Sequence, residues 1–243
     1  MTGEELDELC EQGQRQLMEM EYLAAEATLA RAEREALAAR EWDVLARLYL
    51  PLQEARRQRR QRCGEGIVCL DLIARDADDR LDGREIVERF PHGQLLVAGW
   101  GSIEPALQVR RAQAERGLYV ETFLAAAYPI GAGRAIAIVP LDDVRLPPPA
   151  PRSVDELISN LPAHSIILNE SELPRGERRG TFETYAEVMA LWERLHAPFL
   201  AAADMQVDPV QKIEAYRKTI RIDYACELAH QKLSDVAKQL ARS

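Results

Sequence analysis

The 243 residues carry 31 Lys and Arg against 40 Asp and Glu, a formal net charge of −9 with a pI near 5.1. An acidic surface repels a phosphate backbone unless a local patch overrides it, so nucleic acid is disfavoured as a partner. At this length one large domain or two small ones can bury most of their apolar surface without disulfides or metals.

From Glu4 to about Arg62 the pattern is helical. Leu6, Leu9, Gly13, Leu17 and Met20 share one face, a short break falls at Met20-Glu21-Tyr22, and Tyr22, Ala25, Leu29, Ala32 and Ala36 form a second stripe. A third helix carries Trp42, Leu45, Ala46, Tyr49 and Leu50, with a kink or a new start expected at Pro51. Its end is the one basic run of the chain, Arg56-Arg57-Gln58-Arg59-Arg60-Gln61-Arg62. Like charges on several helix faces destabilise it unless an acidic partner offsets them. The run is therefore expected either as a solvated end pairing with this protein's own acids or as a surface for an anionic partner.

The character changes at Gly64. Ile67–Ile73 is a short apolar run of strand length, followed by the acidic loop Arg75–Asp79 and a short helix from Asp82 to Phe90. Gln94–Ala98 is a second strand, Ile103–Arg116 a helix, and Leu118–Leu124 and Ala135–Val139 are further strands separated by Pro129–Gly133. Strands alternating with helices argue for an α/β layer, and two strands with no helix between them make it mixed. The proline run Leu146–Pro151 is expected as a stiff spacer. Ser153 should cap a short helix, Val154–Leu161, with Glu156 completing a capping box. A candidate strand at Ser165–Leu168 and a polar loop at 174–180 precede a return to helix from Thr181.

The expected fold class is thus a mixed α+β or α/β fold, with helical-repeat-like N- and C-terminal segments around a small mixed β-sheet with helices. The expected division is 1–62 helical, 64–149 α/β, 152–180 a linker with a short helix and a candidate strand, and 181–243 helical.

The two ends resemble degenerate tetratricopeptide repeats. Gly13 stands where the first helix meets its partner closely, Ala25 is the small residue at the crossing, and Leu29 and Ala32 complete the packed face. At the other end Leu233-Ser234 and Ala237 recur 34 residues after Phe199-Leu200 and Ala203, which is the family period. Gln12, Gln16, Lys212 and Tyr224 depart from the pattern, and the middle hundred-odd residues have no counterpart in the family. The resemblance implies a protein or peptide partner. Because fewer than about three such repeats are rarely stable alone, the two ends are expected to pack against each other or against the α/β layer.

No stretch supplies a specific catalytic signature. The acids Asp76, Asp78, Asp79, Asp82 and Glu85 make too short a calcium loop and suit a turn and helix start instead. Gly99-Trp-Gly101 and Gly131-Ala-Gly133 complete no phosphate-binding motif. His92, His164, His196 and His230 are scattered, and Cys10, Cys63, Cys69 and Cys226 form no CxxC pair or zinc-spaced set, so buried free thiols and no metal or cofactor are expected. Glu121 on an apolar strand needs a partner, for which Arg110, Arg111 or Arg134 are the candidates. The acidic N-terminus has no basic leader, and no apolar run reaches the roughly 18 residues that span a bilayer, so a cytoplasmic protein free of membrane is expected.

Binding is favoured over catalysis. A helical-repeat interaction protein predicts an exposed groove lined by Trp42, Tyr49, Trp192 and Tyr216, with Arg56, Arg57, Arg59 and Arg60 as the anionic-partner candidates. The alternative, a small-ligand or enzymatic α/β domain, predicts a concave site rimmed by Trp100, Ser102 and Glu104 at the carboxyl ends of the middle strands. Homo-oligomerisation is left open.

Overall fold

The computed structural model describes residues 3–242, which divide into two compact units. Residues 3–61 and 196–242 form a helical unit, and residues 62–195 form the second.

In the helical unit α1 (Gly3–Met18) and α2 (Tyr22–Ala39) make a hairpin turned at Met20, and α3 (Trp42–Glu65) follows. A Cβ on Gly13 would lie 2.5 Å from Leu29 Cγ, so the glycine is what permits α1 and α2 to approach. Pro51 sits inside α3 without ending it. The C-terminal helices are α7 (Phe182–Asp204), α8 (Pro209–Ile222, capped by Asp208) and α9 (Glu227–Ala241). Both ends of the chain contribute to one core. Leu6, Leu29, Ala32, Leu45, Leu48 and Leu52 pack in the same cluster as Ala203, Ile213, Tyr216, Ala229, Leu233 and Ala237. A buried bond from Ser234 Oγ to the Ala46 carbonyl, 2.7 Å, ties α9 to α3.

The second unit is built on a six-stranded mixed sheet in the order β5-β4-β3-β2-β1-β6. β1 (Ile67–Ile73), β2 (His92–Trp100) and β3 (Tyr119–Ile130) are parallel, linked by α4 (Gly83–Arg89) and α5 (Glu104–Arg116). β4 (Gly133–Ile138) returns antiparallel through a tight turn, where Gly131 takes φ 58°. The fold is therefore of the mixed α+β class expected.

Side chains alternate across the sheet. Leu95 and Val97 of β2 and Val120, Leu124 and Ala126 of β3 pack with Val87 of α4 and Val109 of α5. Phe123, on the alternate register, stacks on Trp192 of α7 at 4.2 Å between ring centroids.

Three local readings are corrected. β3 runs through Ala125–Ile130, six residues beyond its expected end, because small alanines there suit a crowded interior as well as any β-branched residue. The 152–180 stretch is more than a linker. Its expected helix and strand are present as α6 (Val154–Asn160) and β5 (Ile166–Asn169, paired with β4), and it adds a strand not expected, β6 (Arg178–Arg179), paired with β1. The proline run is not a free spacer either: Tyr128 donates to the Pro147 carbonyl at 3.3 Å, and Leu146 packs against the sheet core. No described helix is long and apolar enough to cross a membrane.

Candidate functional site

The basic run at the end of α3 becomes the centre of a polar network inside the helical unit. Arg56 and Arg60 fall one turn apart and turn inward, 8% and 2% exposed, while Arg57 stays outside on Glu54 of its own helix. Arg56 Nε reaches Glu26 of α2 at 3.2 Å and Arg59 the other carboxylate oxygen at 2.8 Å. Burial works to raise the Glu26 carboxyl, but the Arg59 and Arg56 charges outweigh it and hold it low. Arg60 bridges Asp223 at 2.6 Å, with both side chains essentially removed from water. Of the two outcomes expected for this run, the internal pairing is found, and for Arg56 and Arg60 the helix end is not solvated.

Asp223 ends α8, and both of its carboxylate oxygens are engaged. Oδ1 accepts from Arg60 and from the Ala225 amide at 3.1 Å, and Oδ2 meets His196 Nδ1 at 2.6 Å. Burial alone would raise this carboxyl, yet the Arg60 guanidinium and the His196 contact hold it well below the usual carboxylate range. For His196, burial pulls the imidazole down, but hydrogen bonds to Asp223 and Cys226 overcome it and raise the group to about 10. His230 behaves oppositely. Burial, then the Arg56 charge, push it down to about 3, so the ring is neutral at physiological pH. Arg56 Nη1 can only donate, so His230 Nε2 accepts at 3.0 Å and Nδ1–H donates to the Cys226 carbonyl at 2.8 Å.

Beside this network lies a cleft of about 620 Å³ lined by Glu33, Arg56, Glu214, Arg217, Lys218, Ile220, Arg221 and Tyr224. Four cations face two carboxylates there, in a chain whose net charge is −9. Arg217 is partly neutralised, by Glu214 at 3.1 Å and Glu33 at 3.5 Å. Lys218 and Arg221 are exposed, and the Lys218 ammonium sits over the Phe199 ring. Arg59 stacks its guanidinium over Tyr224 at 4.4 Å, which fixes the ring at the cleft wall.

The other expected site residues are not assembled in this way. Tyr49, Trp192 and Tyr216 are buried at 0%, 2% and 0%, and Trp42 packs half-buried against the helical core, so the exposed aromatic groove is not formed. Large aromatics at helical spacing gain more from burial than from lining a groove. Tyr49 instead packs in the helical core, and Tyr216 donates to Asp204 at 2.6 Å.

In the second unit Trp100 and Ser102 are half-buried and Glu104 is exposed. Ser102 Oγ accepts the Glu104 amide, Glu104 pairs with Arg111, and Pro149 lies against Gly101, where a Cβ would come within 2.8 Å. The polar groups of Ser102 and Glu104 are spent on the turn and on α5. The acidic loop is likewise local: Asp76 accepts the amides of Asp78 and Asp79, and Asp82 caps α4. Glu121 accepts from Gln94 Nε2 at 2.7 Å, the residue opposite it in the parallel register; of the arginines expected near it, Arg110 donates to the neighbouring Thr122 carbonyl, while Arg111 and Arg134 bind Glu104 and Glu170.

All four cysteines are buried and none is in a disulfide. Asp223, Cys226 and Tyr224, central to this region, were not among the expected site residues. Their signal, an acid and a thiol three residues apart between two helices, acquires meaning only once His196 and Arg60 arrive from other helices. No protein-family model, curated protein or solved structure matches the chain.

Proposed function

We propose that this chain is a non-catalytic protein-interaction module whose helical unit, built from divergent tetratricopeptide-type hairpins, receives an acidic segment of a partner protein in the cleft of α2, α3 and α8. The cleft itself carries this reading: the exposed Lys218 and Arg221, beside the partly neutralised Arg217, give it a cationic lining in an otherwise acidic molecule. Such a patch steers an anionic partner toward it and excludes cationic ones. The repeat-like reading is supported by the Gly13–Leu29 approach and by full burial of Ala25, Ala203 and Ala237, the small residues it requires at helix crossings.

The test is fluorescence anisotropy with fluorescein-labelled hexaglutamate. Binding should weaken as salt rises and fall at least about tenfold in the double variant Lys218→Glu/Arg221→Glu, a loss of about 1.4 kcal/mol. Both residues are exposed, so the fold should tolerate the change. The control Arg84→Glu/Arg111→Glu, on a cleft of the second unit, should bind like the unaltered protein. Equal loss in both variants, or displacement of the peptide by an oligonucleotide at lower concentration, would overturn the proposal.

A further inference from the structure

The helical unit holds a second constellation that peptide binding leaves unused. His196 on α7, with Asp223 and Cys226 in the α8–α9 connection, brings one imidazole nitrogen, one carboxylate oxygen and one thiol sulfur within 4.8 Å of one another. We propose that these three side chains bind one divalent ion of the zinc class.

The donors select the class. A nitrogen, an oxygen and a sulfur suit zinc or cobalt, whereas magnesium and calcium take oxygen ligands. Bonds of about 2.0–2.3 Å around a tetrahedral ion set donors roughly 3.3–3.8 Å apart. The observed donors reach that spacing by movements on the order of an ångström.

The surroundings hold two of the donors in place. Cys226 N donates to the Asp223 carbonyl at 3.0 Å, so one tight turn carries both residues. Asp223 Oδ1 is anchored by Arg60 and the Ala225 amide, leaving Oδ2 to face His196. Anchoring the outer oxygen of a ligating carboxylate in this way fixes its direction. The His196 side chain is 14% exposed, which gives the ion a path and leaves the fourth tetrahedral position to water.

The experiment titrates the full chain, after chelator treatment and dialysis, with Co²⁺ as the probe. One equivalent should bind and give a thiolate-to-cobalt charge-transfer band with intense tetrahedral d–d bands, and Zn²⁺ should displace it. Cys226→Ser should abolish the charge-transfer band with an unchanged far-ultraviolet circular dichroism spectrum, while Cys69→Ser keeps it. His196→Gln, read by the same band, serves if Cys226→Ser does not fold. Absence of the band in the unaltered chain, or its survival in the Cys226 or His196 variant, would overturn the proposal.

Discussion

Removing the Asp223 carboxylate should be among the most damaging single changes in the helical unit. Its side chain is 0% exposed and that of Arg60 2%, and the carboxylate serves Arg60, His196 and the Ala225 amide at once. Asp223→Ala leaves a buried guanidinium without its counter-charge. Breaking a buried pair from one side costs about 3–5 kcal/mol, against about 0–1 kcal/mol for a surface pair. A typical domain has about 5–15 kcal/mol in total, so about a fifth or more of the stability is at stake. Urea unfolding followed by circular dichroism, with chelator present, measures this. The double variant Arg60→Met/Asp223→Leu removes both charges and keeps much of the volume, so it should recover most of the loss. A cost below about 1 kcal/mol for Asp223→Ala, or a double variant no better than the single, would refute the reasoning.

In metal-free protein, stability should peak near neutral pH. His196, facing Asp223 and Cys226, is raised to about 10, so its contribution is present below the unfolded value near 6.5 and is lost as pH rises through about 10. His230, beside Arg56, is lowered to about 3, so its contribution is present above about 6.5 and drains away as pH falls toward 3. Asp223, held low, adds to the acid loss below its unfolded value of about 3.9. Melting temperature against pH should show both limbs, and His196→Gln should flatten the alkaline one. Gly13→Val should destabilise by roughly 1–3 kcal/mol, because its Cβ meets Leu29 at 2.5 Å and the strain exceeds any gain in helix propensity; adding Leu29→Ala should relieve that strain, as a double-mutant cycle in urea would reveal. Trp192→Ala should cost about 3–5 kcal/mol through loss of the Phe123 stack, without altering hexaglutamate binding. A binding loss with unchanged stability would instead return Trp192 to a recognition role.

The terminal helices were legible because their apolar stripes repeat at 3.6 residues, and the Gly13–Ala25–Leu29 crossing because only small residues permit it. Strands β1 and β2 were legible as short apolar runs bounded by glycine or acidic turns. Partners in space were not. Gln94 opposite Glu121 follows from parallel register, which no local pattern encodes. The arginine run showed its charge but not its direction, since five arginines on one helix end read alike until Glu26 and Asp223 fix which of them turn inward. The aromatic residues were assigned to a groove by type alone, whereas burial placed three of the four in cores.

The claim that the cationic cleft receives an acidic partner is tested most directly by hydrogen exchange of the full chain with and without hexaglutamate. Protection should appear in α8 and the following turn, around Glu214 to Tyr224, and vanish in Lys218→Glu/Arg221→Glu. Protection confined to the second unit, or none at saturating peptide, would contradict the account.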